Sequence, residues 1–453
     1  MRSRLLALTL AAALLTAACT TLQQAPETTT TASATATSGA DSTTTTSQAP
    51  ETTTTTAGPL SLPPGTEGLP EATRRQIAEL IRATEQARDL EFLELPTITV
   101  LDPVAFEERV RSLILEEAED VPADEALFEL LGLIEPGTDL LALYADLYGE
   151  QVAGFYDGES GEMVIPATGT ELTALEGLTL VHELVHALTD QHFGFHGVWQ
   201  EMIDGQDFDR ASAYLALIEG DATLAEIEYL RGLPTSEQLA IISDSAAFTS
   251  DVFEGAPPFL QQSLLFPYTQ GVRFTQTIYG RGGWEEVNAT YANGPASTEQ
   301  ILDPAAFGRE EPLPVALPSL ADPAGYERVF ESVWGQLGFE LMFGQVLDDA
   351  TTRQAAGGWG GDAYAQWFDG QESAALALRY VGDTPRDAVE LAAALEAYVV
   401  AAMLAGNGTV TATGTVFERV TYAWVALDGD EVWFVAASDP AVGRELTAQI
   451  AGS

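Results

Sequence analysis

The chain has 453 residues, of which 19 are basic and 68 acidic, giving a net charge of −49; every basic residue is Arg. With 46% hydrophobic residues there is material for a sizeable core, which argues against wholesale disorder. A surface this acidic repels phosphate backbones and excludes nucleic acid as a partner, and a single Cys excludes disulfides within the chain.

In chain order, Arg2 and Arg4 precede an apolar run from Leu5 to Leu15, too short for a comfortable membrane span and built like a secretory signal. It ends at Leu15-Thr16-Ala17-Ala18-Cys19, which resembles a bacterial lipoprotein signal: residues 1–18 are removed and Cys19 carries the lipid. That implies an exported protein, lipid-anchored at the cell surface or envelope of a bacterium. Residues 19–58 are rich in Thr and Ser, and the string QAPETTTT recurs at 24–31 and 48–55. Such a segment cannot bury enough apolar surface to offset the entropy of ordering, so it reads as a disordered tether spanning roughly 35 Å.

Folded structure is expected from about residue 59, organised as a core over 59–310 and a module over 311–453. Glu71–Leu90, Pro103–Glu119 and Ala123–Leu133 carry helix-period apolar patterns. Residues 151–156 and 162–165 read as a hairpin around Asp157-Gly158-Glu159-Ser160-Gly161, with Glu162–Ile165 as an edge strand for an extended peptide. Thr173 and Glu176 form a capping-box pattern opening a helix. In the later module, a helix near 326–348 is followed by strands near 363–369 and 373–381, a helix over 385–404, and strands near 415–427 and 430–437. The fold class is therefore α+β.

The helix after Thr173 carries His182-Glu183-Leu184-Val185-His186. A spacing of four puts both imidazoles on one face, where they can share one zinc ion, and places Glu183 to take a proton from water. Two residues compete for the third ligand. His192 matches the third His of an HExxHxxGxxH pattern, but Thr189 stands where that pattern needs Gly to leave the helix. Glu219 is a carboxylate on a second apolar helix, and the spacing favours it over His192. Asp221 and Asp190 are candidates for orienting a ligand histidine. Asp204, Asp207 and Asp209 cluster ahead of the second helix; one is expected to be its N-cap, with Ca2+ as a lesser alternative.

His182-Glu183-Leu184-Val185-His186-Ala187-Leu188-Thr189-Asp190-Gln191-His192-Phe193, followed by Glu219-Gly220-Asp221-Ala222, resembles secreted bacterial and archaeal zinc metallopeptidase-like proteins of gluzincin type. The resemblance extends through Pro267-Tyr268, Gly271, Ser297-Thr298-Glu299-Gln300-Ile301-Leu302 and Gly358-Trp359-Gly360-Gly361-Asp362. It implies a zincin-like core, one Zn2+ per chain held by His182, His186 and Glu219, Glu183 as catalytic base and a polypeptide substrate. Related sequences tend to have His-Pro after the STEQIL string, where Asp303-Pro304 stands here. Stabilisation of the transition state then falls to the metal or another donor, with His192, His196, Tyr268 and Arg273 as candidates. The competing readings are an inactive peptidase-like surface binding protein and a zinc amidase acting on a cell-wall bond.

Overall fold

The computed structural model describes residues 10–12, 62–116, 120–166, 169, 171–247 and 250–452. Cys19, the tether and all of the leader but Leu10–Ala12 lie outside them. The chain is α+β, with two sheets set among helices.

The smaller sheet contains β1 (Leu10–Ala12), β2 (Thr97–Leu101), β3 (Val152–Asp157) and β4 (Glu162–Pro166), in the order β1-β3-β4-β2. β3 and β4 form the expected hairpin. Its turn is fixed by the Asp157 carboxylate, which accepts from the backbone of Glu159 and Ser160, and by Gly161 at φ +69°. β2 then pairs in parallel with the far side of β4, Thr97 opposite Glu162. Glu162–Ile165 is therefore an interior segment and cannot accept a substrate strand, contrary to the sequence expectation. The pairing of 97–101 with 162–166 spans too much chain to show in local periodicity.

The capping box at Thr173 and Glu176 is formed, and it opens a helix over Ala174–Phe193, the motif helix. Gly194, at φ 62°, closes it with its N–H bonded to the Asp190 carbonyl. The motif helix is buried from Gly177 through Thr189. Packed against it is the carboxylate helix Phe208–Gly232, which in turn crosses the long helix Pro258–Gly282. The crossing is closest at Gly220 and Gly271: a Cβ on Gly220 would fall 2.2 Å from the Gly271 carbonyl oxygen, and one on Gly271 would fall 2.1 Å from that of Ala216. Only hydrogen at both positions lets the two backbones meet.

The larger sheet is antiparallel throughout: β5 (Glu327–Ser332), β6 (Trp359–Phe368), β7 (Ala374–Gly382), β8 (Gly408–Val410), β9 (Thr415–Glu418), β10 (Tyr422–Asp428) and β11 (Glu431–Ala437), ordered β5-β6-β7-β11-β10-β9-β8. Alternation along the strands divides its residues. Tyr364, Leu376, Leu378, Tyr380 and Phe434 share a core with the helix Pro385–Ala402, while Trp367, Ala375, Ala377 and Val435 share one with Pro440–Ala451. The helix expected near 326–348 begins instead as strand β5, whose Phe330 and Ser332 face inward at a period of two, and only Gly335–Phe343 is helical. The Gly-rich stretch at 357–361 runs into β6 from Trp359, a residue buried on Asp362. The helix Val121–Leu131 also joins this layer: the Gln366 amide donates to the Ala123 carbonyl at 2.8 Å, and the Tyr398 hydroxyl to that of Leu131 at 2.6 Å.

Candidate metal centre

His182 and His186 stand one turn apart on the motif helix, their ring centroids 4.8 Å apart and their planes at 82°. Glu219 reaches them from the carboxylate helix. Its Oε2 lies 3.0 Å from Nε2 of His182 and 3.4 Å from Nε2 of His186. One ligand atom from each of the three residues falls within 4.8 Å of the others, and all three side chains are buried. Tetrahedral zinc with bonds near 2.05 Å holds its ligand atoms roughly 3.4 Å apart, so the donor set and its spacing fit that ion. The buried Nδ1 of His186 has no hydrogen-bond partner among the described residues, and its Nε2 faces Glu219, so the ring is fit to serve as a ligand.

The electrostatics follow from two imidazoles around one carboxylate. Burial pulls the His182 ring down, but hydrogen bonds to Glu219 and Glu226 outweigh it and raise the ring to about 10. Burial pushes Glu219 up, and the charge of His186 with the imidazole hydrogen bonds takes it down to about 2. Glu183 is fully buried, and neither carboxylate oxygen has a hydrogen-bond partner among the described residues. Desolvation pushes its carboxyl up to about 7, in spite of the nearby imidazoles. An unpartnered buried carboxylate is costly to stability alone, and such groups gather at functional sites.

The residue that orients the site was not read from the sequence. Nδ1 of His182 lies 3.2 Å from Oε2 of Glu226, a buried side chain two turns along the carboxylate helix from Glu219. A ring that donates from Nδ1 to Glu226 leaves Nε2 free for an ion. The available signal was the seven-residue step from Glu219 to a second acid in an apolar stretch, which returns to the same helix face.

Other expected residues have different partners. Asp221 is fully buried but lies about 200° around the helix from Glu219. It accepts from Arg88 through Nε at 2.6 Å and a second nitrogen at 3.0 Å, and from the Tyr291 hydroxyl at 2.8 Å, so it does not orient a ligand histidine. Asp190 accepts from the Tyr156 hydroxyl and the His196 backbone, tying the hairpin to the helix end. His192 is exposed, with Nε2 2.8 Å from the Glu91 carbonyl, and is not a ligand; the helix runs on past Thr189 and carries it away from the site. His196 packs on the hairpin turn at Gly158. Of the aspartates ahead of the carboxylate helix, Asp207 takes the N-cap position, with Arg210 at 3.9 Å. Asp209 turns inward to the Thr298 backbone, so the three do not converge on calcium. Tyr268 is buried with its ring 6.2 Å from that of His182, whereas Arg273 is exposed and donates to Gln270 and the Leu302 carbonyl.

A family model described as a domain of unknown function (DUF8575) matches residues 324–447, the part of the chain that holds the larger sheet. No curated protein and no solved structure matches the chain.

Proposed function

We propose that this chain is a zinc-dependent peptidase of gluzincin type, exported and tethered to the membrane through lipid on Cys19. The observation that carries the reading is the buried His182–His186–Glu219 group with unpartnered Glu183 on the next residue of the same helix. A zinc ion held there supplies Lewis acidity and makes water acidic enough to yield a nucleophile near neutral pH.

The chain's own groups supply the rest. Glu183 takes the proton from the attacking water and delivers it to the leaving amine, a role suited to a carboxyl raised toward neutrality. Glu226 holds His182 in one tautomer. Tyr268, whose ring lies 6.2 Å from that of His182, is the donor assigned to the developing oxyanion in this reading. The strand suited to lie along a substrate backbone is β3 rather than β4. Gly154 of β3 faces the motif helix so closely that a Cβ there would meet the Thr179 side chain at 3.4 Å. The other side of β3 pairs with Leu10–Ala12, inside the leader; cleavage before Cys19 would remove that partner and leave β3 as an edge.

The test is metal content and hydrolysis of the same preparation. The full chain should hold close to one zinc, and Glu183→Gln should keep it while losing nearly all cleavage of a proteome-derived peptide mixture. A chain that folds but binds no zinc, or a Glu183→Gln variant as active as the parent, sinks the peptidase reading in favour of a non-catalytic binding protein.

A further inference from the structure

We propose that a cleft between the Pro258–Gly282 helix and the helix Gly335–Phe343 is a binding site for an organic cation, an ammonium or guanidinium group carried on an alkyl stem. The cleft encloses about 780 Å³, a size typical of ligand sites. It lies on the face of the long helix that presents Leu265, Phe266 and Thr269, turned away from the Gly271 face packed against the carboxylate helix. The site is thus separate from the metal centre and does not rest on the peptidase reading.

Glu299 carries the argument. It lines the cleft at 8% exposure, yet its carboxylate has no hydrogen-bond or ion-pair partner among the described residues. Its neighbours in the STEQIL string both have structural work: Thr298 donates to Asp209, and Gln300 accepts from the Ala296 backbone and donates to the Glu310 carbonyl. Around Glu299 the cleft adds exposed Asp303, Glu310 and Asp383, like charges with a buried one among them. Burial first, then Asp383, Glu310, Asp209 and Asp303, push the Glu299 carboxyl up to about 7. Neither lining arginine pairs with Glu299: Arg273 donates to Gln270 and the Leu302 carbonyl, and Arg353 lies 3.9 Å from Asp349.

A bare metal ion fits poorly. Three ligand atoms must converge on it, and among the described residues only His182, His186 and Glu219 do so. Carboxylates spread around an open cleft instead match a cation that presents several N–H donors over several ångströms. Apolar Leu265 and Phe266 give its methylenes a surface to lie on. Such a cation could be a free amine or an Arg or Lys side chain of a polypeptide.

Calorimetric titration of the full chain at fixed ionic strength distinguishes the outcomes, with agmatine, a capped single-arginine peptide and calcium chloride as probes. Agmatine, the peptide or both should bind at one saturable site, and Glu299→Gln should weaken that binding at least tenfold. Asp383→Asn, at the exposed rim, should weaken it several-fold and serves if Glu299→Gln fails to fold. Binding of agmatine alone points to a free amine, and of the peptide alone to a protein side chain. The proposal is overturned if neither probe binds the parent, if both variants bind as the parent does, or if calcium displaces the organic probe.

Discussion

Gly220 and Gly271 meet backbone to backbone, and this contact fixes how the helix that carries Glu219 lies against the helix that carries Tyr268. The glycine next to the proposed ligand is thus a packing requirement of the site. Gly220→Ala would put a methyl group 2.2 Å from the Gly271 carbonyl oxygen and 2.6 Å from Thr275 Oγ1. Backbone cannot yield as a flexible side chain would, so the helices must separate. The expected loss is about 2–3 kcal/mol in denaturant-induced unfolding, with weaker zinc retention in the folded fraction. An unchanged unfolding midpoint would show that the crossing is looser than described.

Removing Glu226 isolates the carboxylate that holds the His182 ring. Glu226→Ala should lower zinc affinity by about 10–100-fold, read by competition with a chromophoric chelator, because the His182 ring loses its fixed tautomer. Glu226→Gln keeps an acceptor for Nδ1–H and should recover part of that affinity. Glu219→Ala should abolish tight binding, whereas His192→Ala should leave it intact, since the exposed His192 ring is turned to the Glu91 carbonyl. Equal losses in the last two would reopen the choice of third ligand.

Much of this site was legible because it is written in helical spacing. The capping box at Thr173, the four-residue histidine step and an acid within an apolar stripe at 219 are each local patterns: the box opens the motif helix, and the two histidines meet the acid. What was not legible depends on residues far apart in the chain. Arg88 and Asp221 are 133 positions apart, so a buried ion pair could not be told from a surface acid. β2 covers β4 from a segment more than sixty residues earlier, which turned an apparent edge strand into an interior one. Glu327–Ser332 was misread because six residues with charges at Glu327, Arg328 and Glu331 around Val329 and Phe330 fit a strand or the first turns of a helix equally well.

Buried acids outside the metal centre set a pH dependence. Asp209 and Asp362 both lie against Gly335: Asp362 accepts its N–H at 2.9 Å, and a Cβ on Gly335 would collide with the Asp209 carboxylate. Burial is the largest cause in both cases, taking Asp209 up to about 7 and Asp362 to about 6. The folded state therefore holds these protons at pH values where the unfolded chain, with carboxyls near 3.8, has released them. Stability from these groups is complete below about pH 4 and is lost as pH rises through 6 and 7. Denaturation midpoints should fall between pH 5 and pH 8, and Asp209→Asn should flatten that slope. A slope unaltered by the substitution would assign the effect to other carboxylates.

Arg88 and Asp221 make the sharpest test of what holds the carboxylate helix in rotation. Both side chains are fully buried, Arg88 also donates to Asn288 at 2.6 Å, and its guanidinium lies 4.3 Å from the Trp284 ring centroid. Breaking such a pair from one side leaves an uncompensated charge in the core, so Arg88→Met should cost about 3–5 kcal/mol. Removing the second charge as well, in Arg88→Met with Asp221→Asn, should restore part of that loss, because the amide oxygen still accepts from Tyr291. Asp221 stands two residues from Glu219, so the single variant should also lose zinc affinity, and the double variant should regain some of it. Losses that simply add in the double variant would mean that the two charges act independently and that Glu219 is placed by the Gly220–Gly271 crossing alone.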